Sequence, residues 1–209
     1  MELFVYTFAA LFSVINPLGT IPVFVALTQN DSSKEQARIS LWTAINTFII
    51  LVIAFFSGKY ILSFFGITID SLRIAGGLII VTSGFALLTG TFSKHKGMEK
   101  PRVKEDIKDR NDIALTPLAI PMLAGPGSIS LLISLNQTYT NIVDILVTVC
   151  AILVVCLAVY VMLKFAHPIV KYLGASGINA ISRIIGFIVI AIGIEYISSS
   201  VINLLSSIR

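Results

Sequence analysis

Charged side chains are scarce in this chain of 209 residues, of which only 12% are Asp, Glu, Lys or Arg. Histidine and cysteine, which build many catalytic and metal centres, occur only twice each. Soluble globular domains carry about 25% charged residues, so the shortage excludes an ordinary soluble domain. No set of His, Cys, Asp and Glu suggests a catalytic centre, and no nucleotide-binding motif is present. We therefore expect that the protein is not an enzyme and uses no cofactor.

The two cysteines and the two histidines are poorly placed for a metal site. Cys150 and Cys156 lie six positions apart in one predicted helix and so face different directions. Neither a disulfide nor a metal site is expected from them. His95 lies in a polar stretch and His167 at the end of a hydrophobic run, and neither has a second ligand beside it. The sequence therefore predicts no metal ligand.

Long runs without any charge take up most of the chain, and 56% of its residues are hydrophobic. A helix needs about 20 apolar residues to cross roughly 30 Å of hydrocarbon. Six runs are long enough, at 3–30, 39–58, 74–93, 113–143, 145–163 and 184–208, and only Glu195 interrupts the last. The sequence therefore predicts an all-α membrane protein with six transmembrane helices.

The basic residues predict the orientation of these helices, since Lys and Arg mark cytoplasmic loops. Three of them lie on one side of the membrane, at Lys59, Arg73 and Arg209. Twelve lie on the other side, at Lys34, Arg38, Lys94, Lys96, Lys100, Arg102, Lys104, Lys108, Arg110, Lys164, Lys171 and Arg183. We expect a multi-pass protein of the plasma (inner) membrane with both termini outside. The net charge of +4 does not suggest nucleic-acid binding, because the basic residues lie between spans.

The two halves of the chain resemble each other. The third span contains RIAGGLIIVTSGF and the sixth RIIGFIVIAIGIE, and the shared Arg-Ile-x-Gly begins at Arg73 and again at Arg183, about half the chain later. Three spans per half is an odd number, so the second half must be inverted relative to the first, as in many secondary transporters. We predict two inverted three-helix repeats, 1–92 and 113–209, joined by a charged cytoplasmic connector at 93–112.

Proline and glycine interrupt the first and fourth spans near their middle, in INPLGT and LAGPGS. Proline removes a backbone donor and its ring clashes with the preceding turn, whereas glycine permits unusual backbone geometry. We therefore predict that both helices are broken near the membrane midplane. One register of the two halves pairs Pro17 with Pro126. Another pairs Pro17 with Pro121 and Pro22 with Pro126, and the sequence leaves both open.

A broken helix exposes two kinds of backbone group. The second half-helix presents free N–H groups and the positive end of its dipole, which suit an anion. The first half presents free carbonyls, which suit an ammonium group. Two inverted breaks that meet would therefore bind a zwitterion the size of a small amino acid. The predicted substrate-binding residues are Asn16, Pro17, Gly19, Thr20, Gly125, Pro126, Gly127 and Ser128.

Polar side chains accompany the breaks. Thr20 and Ser128 begin the second half-helices, where their hydroxyls either contact the substrate or simply cap the helix. Glu195 is the only charge deep in a span, where a carboxylate costs about 2.5–3.5 kcal/mol. It is a candidate for proton coupling or for contact with a substrate ammonium, and a structural hydrogen bond is an equal alternative. Asn46, Thr82 and Ser83 are lesser polar candidates, for which interhelical packing is the favoured interpretation.

Several of these motifs are typical of one family. NPLGTIPVF in the first span, IPMLAGPGSI in the fourth and RIIG in the sixth resemble the MarC family of bacterial and archaeal integral membrane proteins. The resemblance covers nearly the whole chain. It implies that the two breaks frame the substrate site and that the protein lies in the plasma membrane. The family is grouped with LysE-like exporters, and its archaeal SnatA-type members transport small neutral amino acids such as glycine and alanine.

The residues and the resemblance together favour a secondary transporter of glycine, alanine and serine. The expected partners are a small neutral amino acid, a proton or sodium ion as the coupling ion, membrane lipid and a second copy of the chain. Two alternatives stay open. One is an exporter of another small solute or ion, and the other is a membrane protein of stress response or assembly that transports nothing.

Overall fold

The computed structural model describes residues 2–90 and 113–207, and helices make up nearly all of this part, with no strand in it. In chain order they are α1 (Glu2–Ile15), α2 (Pro17–Leu27), α3 (Ser33–Phe65), α4 (Ile69–Thr89), α5 (Ala114–Leu123), α6 (Pro126–Thr138), α7 (Ile142–Lys164) and α8 (Ala166–Ser207). The predicted all-α class is confirmed. The connector predicted at 93–112 lies outside the described residues.

Several helices are long and apolar enough to cross a membrane. Within the described ranges there are five, at Glu2–Ile21, Ser33–Gly58, Ile69–Thr89, Ile142–Lys164 and Asn179–Ser206. The segments α5 and α6 pass the same test together, although they are bent by 63°, and they make a sixth span if counted as one. The predicted transmembrane character is confirmed, whereas the orientation of the termini stays a prediction.

Side-chain and glycine caps fix the ends of α3 and the start of α4. The Ser32 hydroxyl accepts from the Glu35 N–H at 3.3 Å, and the Glu35 carboxylate accepts from the Ser32 N–H at 3.0 Å. These reciprocal bonds start α3. The helix stops at Gly66, whose φ of 64° suits glycine. The Thr68 hydroxyl then accepts from the N–H of Ser71 at 3.2 Å and starts α4.

Two helices contain irregular backbone. In α5, Thr116 (φ −128°, ψ 119°) and Ile120 (φ −116°, ψ 127°) are extended. Each precedes a proline, Pro117 or Pro121, and proline pushes the residue before it out of the helical region. The result is a wide, irregular helix of the π type. In α8, Gly174 (φ 65°, ψ 170°) separates a short first part from the spanning part.

The helices α4 and α8 pack against each other along most of their length. A β-carbon on Gly77 would lie 2.7 Å from the carbonyl oxygen of Gly193, and one on Gly84 would lie 2.8 Å from that of Gly186. Because the later glycine of α4 meets the earlier glycine of α8, the two helices run antiparallel. Small residues at such a contact let membrane helices approach closely.

The other helices surround this pair. The helix α7 packs on α3 and α1, α3 also contacts α5 and α6, α6 packs on α4, and α2 packs on α8. Their shared core is apolar, and its fully buried side chains include Leu11, Phe55, Ile80, Leu118 and Leu131. Large apolar side chains also cover the outer faces, as a lipid environment requires.

Candidate functional site

The first break is a single residue, Asn16, between α1 and α2. Asn16 is fully buried and has left-handed backbone (φ 48°, ψ 67°), which asparagine tolerates better than most residues. Pro17 follows as the first residue of α2, where its missing N–H is no loss. The Asn16 Oδ1 accepts from the Gly19 N–H at 3.3 Å, whereas its Nδ2 has no partner in the described part of the chain. The Asn16 side chain therefore caps one N–H group of this break, that of Gly19.

The second break lies between α5 and α6. Gly125 occupies the N-cap position in extended backbone (φ −88°, ψ 172°), and Pro126 is the first residue of α6. Glycine has no side chain with which to cap, and the N–H groups of Gly127 and Ser128 have no acceptor among the described residues. The Ser128 hydroxyl instead donates to the carbonyls of Leu123 and Gly125, at 3.1 and 2.9 Å. The second break therefore leaves two N–H donors free at a helix start.

A small cleft lies at these free donors. Helices α1, α4, α5 and α6 and the turn before α6 form its walls, with Val14, Ile79, Ile80, Ser83, Leu123, Gly125, Pro126, Gly127 and Ser128. Its volume is about 20 Å³, which is enough for a water molecule but not for an amino acid. The three wall residues from α4 lie near the middle of that helix, Ile69–Thr89. The cleft therefore lies at mid-length of a spanning helix.

The cleft brings donors and acceptors together. The start of α6 supplies the two free N–H groups and the positive end of a helix dipole. The carbonyl of Leu123 keeps a lone pair beyond the bond from Ser128, whereas that of Gly125 also accepts from the N–H of Ile129 at 3.1 Å. The hydroxyl of Ser83 is partly exposed and has no hydrogen-bond partner in the described ranges, so it can donate or accept. The remaining wall is aliphatic, so the arrangement suits a small ligand that carries both a donor and an acceptor.

The predicted site residues divide between the two breaks. Four of them line the cleft, namely Gly125, Pro126, Gly127 and Ser128. The other four form the first break and do not line it, namely Asn16, Pro17, Gly19 and Thr20. The Thr20 hydroxyl is turned to the carbonyl of Asn16 at 3.5 Å, as that of Ser128 is turned to its own break. Both hydroxyls thus donate to backbone carbonyls and accept from no N–H of the helix start, so their role stays a prediction.

Glu195 lies away from the cleft. Its side chain is exposed on α8, where Ile194 is also exposed and Tyr196 turns inward. The bond found at this position joins the Ser198 hydroxyl to the backbone carbonyl of Glu195 at 3.3 Å and leaves the carboxylate out. The structure therefore does not bring the Glu195 carboxylate to the predicted site residues.

Ser83 is a cleft residue that the sequence did not assign to the site. The sequence indicated it only as a lesser polar candidate and favoured helix packing, yet it lies in the cleft wall together with Ile80, one turn earlier on α4. The spacing of Gly77 and Gly84 could have indicated it, because these glycines mark the face of α4 that packs on α8. Ile80 and Ser83 are three residues apart and share a neighbouring face.

Comparison with known proteins gives consistent matches over nearly the whole chain. The family model described as "MarC family integral membrane protein" matches residues 1–205. A UPF0056 membrane protein of Buchnera aphidicola subsp. Schizaphis graminum is 34% identical over 207 residues, covering 99% of this chain and 95% of the relative. The UPF0056 membrane protein YhcE of Escherichia coli K12 is 36% identical over 194 residues, covering 93% and 89%. The UPF0056 inner membrane protein MarC of Citrobacter koseri is 36% identical over 208 residues, covering 94% and 93%. No solved structure matches the chain.

Proposed function

The chain is a member of the MarC family of integral membrane proteins, and on this premise we propose that it is a secondary transporter of small neutral amino acids in the plasma membrane. One observation carries the proposal: the free N–H groups of Gly127 and Ser128 meet a cleft at mid-length of a spanning helix. Unsatisfied backbone donors are costly at membrane depth unless they line a cavity or meet protein. Their presence therefore favours a site that a polar ligand fills.

In this proposal the backbone binds both ends of the amino acid. The N–H groups of Gly127 and Ser128 bind the carboxylate, assisted by the dipole of α6. The carbonyl of Leu123 and the hydroxyl of Ser83 bind the ammonium group. No charged side chain is among the residues that line the cleft. A neutral zwitterion suits such a site better than a ligand with net charge, which would be left uncompensated inside the membrane.

The aliphatic wall favours a small substrate side chain. A β-carbon on Gly127 would lie 3.0 Å from Cγ1 of Ile80 and 3.3 Å from Cγ1 of Val14. Because the cleft holds only about 20 Å³, any amino acid must displace these walls as the site opens. Glycine and alanine require the least displacement, and Ser83 offers a partner to the hydroxyl of serine. Leucine or phenylalanine would have to force α4 away from α6.

The packing of α4 and α8 supports an inverted repeat. The register that pairs Pro17 with Pro126 also carries Gly77 onto Gly186 and Gly84 onto Gly193. The contact of Gly77 with Gly193 thereby becomes the contact of Gly186 with Gly84, which is the other close approach of this helix pair. A pseudo-twofold axis in the membrane plane requires such an exchange. Ile80 lies midway between the two glycines of α4, so the cleft is level with this axis.

The helix breaks follow the same register. It carries Asn16 onto Gly125 and Pro17 onto Pro126, and in both halves these are the N-cap and the first helical residue. Helix contacts exchange as well, since α4 packs on α6 as α8 packs on α2, and α3 packs on α5 as α7 packs on α1. These correspondences favour this register over the one that pairs Pro17 with Pro121.

We propose transport by alternating access, in which one half rocks against the other around the cleft. The closed cleft corresponds to a stage with no access for an amino acid from either side. A proton or sodium gradient supplies the driving force. Glu195 is exposed and does not line the cleft, so any influence of its charge on transport acts through α8 and not by contact with the ligand.

The proposal is tested with purified protein in liposomes. Labelled glycine should accumulate under an imposed proton or sodium gradient, and unlabelled alanine and serine should compete with it. Leucine, glutamate and lysine should not compete, because the first is too large and the others carry a side-chain charge. Protein-free liposomes control for leakage. Absence of both uptake and calorimetric binding for glycine, alanine and serine would refute the proposal.

A further inference from the structure

One end of the bundle carries the start of α1 and the end of α8, and we call it the terminus-side end. On α4 at this end, Asp70 and Arg73 are three residues apart, a spacing at which opposite charges normally pair. Arg73 turns away instead, since its Nε donates to Ser134 Oγ and its Nη2 to Thr138 Oγ1, each at 2.6 Å. The Oδ1 of Asp70 is buried and has no hydrogen-bond partner in the described ranges. The two charges of this pair are therefore separated.

Neither charge is balanced by an opposite one among the described residues. The partners of the partly buried Arg73 are neutral hydroxyls, and three of its five N–H groups stay free. Hydroxyls bond a guanidinium but do not cancel its charge, and a partly desolvated charge without a counter-ion is unfavourable. The phenol of Tyr196 lies near Arg73 and Ser134 and adds a further polar group. This end of α4 thus offers a free cation and, one turn away, a free carboxylate oxygen.

The separated pair lies on the same two walls as the cleft. Arg73 precedes Ile79 by six residues on α4, and Ser134 follows Ser128 by six residues on α6. Both intervals correspond to about 9 Å along a helix. The charges therefore lie about two turns from the cleft, towards the terminus-side end of the bundle.

Helices α4 and α6 are in close contact between the cleft and the charges. The Ser130 hydroxyl donates to the Leu72 carbonyl at 3.3 Å. A β-carbon on Gly76 would collide with the Ser130 side chain. Together with the bonds of Arg73 to α6, these contacts hold α4 against α6 between the cleft and the terminus-side end. A ligand that reaches the cleft from this end must loosen them.

We propose that Asp70 and Arg73 form a second binding site for amino-acid zwitterions, between the cleft and the terminus-side end of the bundle. Arg73 binds the carboxylate and Asp70 binds the ammonium group, so one ligand supplies both missing opposite charges. An incoming amino acid competes with Ser134 and Thr138 for the guanidinium, and so releases α6 from α4 where the cleft must open. This inference rests on the proposed transport function.

The test measures glycine exchange in liposomes that hold the protein in one orientation, with the apparent KM determined from each face. Arg73→Gln and Asp70→Asn should raise the KM from the terminus-side face by about tenfold or more, because each removes a charged hydrogen-bond partner. From the opposite face the KM should not change. Arg183→Gln, in the second Arg-Ile-x-Gly motif, and Asp144→Asn, in the first turn of α7, are matched controls and should behave like wild type.

Two half-ligands separate the roles of the two charges. Acetate carries only the carboxylate and methylamine only the ammonium group. Added on the terminus-side face, acetate should inhibit wild type and the Asp70 variant but not the Arg73 variant. Methylamine should inhibit wild type and the Arg73 variant but not the Asp70 variant. Equal inhibition of all three proteins by either probe would overturn the assignment.

A purely structural role of Arg73, as a staple between α4 and α6, gives a different result. The double variant Ser134→Ala, Thr138→Val removes the hydrogen bonds that join Arg73 to α6 and keeps both charges. If the charges bind substrate, this variant should keep or lower the terminus-side KM, even if Arg73→Gln fails to fold. If it loses exchange from both faces and unfolds at a lower temperature, the binding role is overturned.

If wild type exchanges glycine and both charge variants keep its KM, this inference alone fails. If wild type neither binds nor exchanges any small amino acid, the proposed function fails with it.

Discussion

Ile80 lies directly over the start of α6, where a β-carbon on Gly127 would come within 3.0 Å of its Cγ1. This distance is tighter than ordinary van der Waals contact, so a side chain at position 127 must displace Ile80 or Val14. The same space is where the proposed ligand meets the free N–H groups of α6. A side chain at position 127 and a bound substrate should therefore exclude each other from this space.

Replacement of Gly127 by valine should abolish most of the glycine binding. Its methyl groups fill the space between Ile80 and Val14, and overpacking of this kind costs about 1–3 kcal/mol. Calorimetric titration with glycine should show an affinity at least about tenfold lower, which corresponds to about 1.4 kcal/mol. Ala9→Val adds methyl groups at an exposed site on α1 and is the control. Wild-type affinity in a folded Gly127→Val protein would remove the cleft from the proposal.

Replacement of Ser83 by alanine should change the choice among substrates. The Ser83 hydroxyl is the side-chain group of the cleft that has no partner in the described part of the chain, so it is free to bond the hydroxyl of serine. A neutral hydrogen bond contributes about 0.5–1.5 kcal/mol, and serine should lose roughly two- to tenfold in affinity relative to alanine. Competition against labelled glycine measures this ratio. Thr82→Val, at the adjacent exposed position, should leave it unchanged.

Replacement of Gly193 by alanine should destabilise the protein. A β-carbon at this position would lie 2.7 Å from the carbonyl oxygen of Gly77, and backbone cannot move aside as a flexible side chain can. We expect a loss of about 1–3 kcal/mol, seen as a lower thermal unfolding temperature in lipid. Gly177→Ala in the same helix meets only the Leu173 side chain, at 3.3 Å, and should be neutral or slightly stabilising. Equal unfolding temperatures for the two variants would contradict the close packing of α4 on α8.

Replacement of Glu195 by glutamine should leave the affinity for glycine unchanged. The carboxylate is exposed on α8 and does not line the cleft, so no ligand contact is lost. Removing a charge from the middle of a span relieves up to about 2.5–3.5 kcal/mol, and the unfolding temperature in lipid should not fall. Calorimetry and thermal unfolding at several pH values check both statements. A large drop in glycine affinity would return Glu195 to the binding site.

The distribution of basic residues predicts that position 100 lies in the cytoplasm. Cys150 is exposed and Cys156 buried, so labelling requires a background in which both are replaced by serine. A cysteine at Lys100 should react with an impermeant maleimide only after the cells are permeabilised. A cysteine at Ile67, which is exposed in the turn between α3 and α4, should react in intact cells. The reverse pattern would invert the predicted topology.

The class of fold followed from the uncharged runs, because a chain in hydrocarbon must satisfy its backbone internally and long apolar runs do so as helices. The helix ends could not be predicted from these runs. The run at 39–58 lies within the longer helix Ser33–Phe65, since the capping box of Ser32 and Glu35 and the stop at Gly66 lie outside the uncharged part. Hydrophobicity marks the depth of the membrane, whereas local hydrogen bonds decide where a helix ends.

Only those features of the candidate site that depend on neighbouring residues in the sequence were predictable. Proline and glycine marked both breaks, but the sequence could not say that Asn16 caps one of them while the other stays open. That difference depends on a left-handed backbone and a single hydrogen bond. The residues of α4 that line the cleft could not be predicted, because the sequence does not show which helices touch. The register of the proposed repeat also depends on the contacts, because Arg73 and Arg183 suggest a register one position away from that of the helix breaks. A one-position difference turns a helix face by about 100°.

The cap at Asn16 bears on stoichiometry. Two equivalent helix starts, related by a twofold axis, would hold two anions per polypeptide. Here the amide oxygen of Asn16 already engages the N–H of Gly19, so the first half carries its own permanent internal ligand. Gly125 offers nothing comparable to α6. The two helix starts are thus alike in backbone but unequal in free donors, so together they should bind one carboxylate per chain, in addition to the one proposed at Arg73.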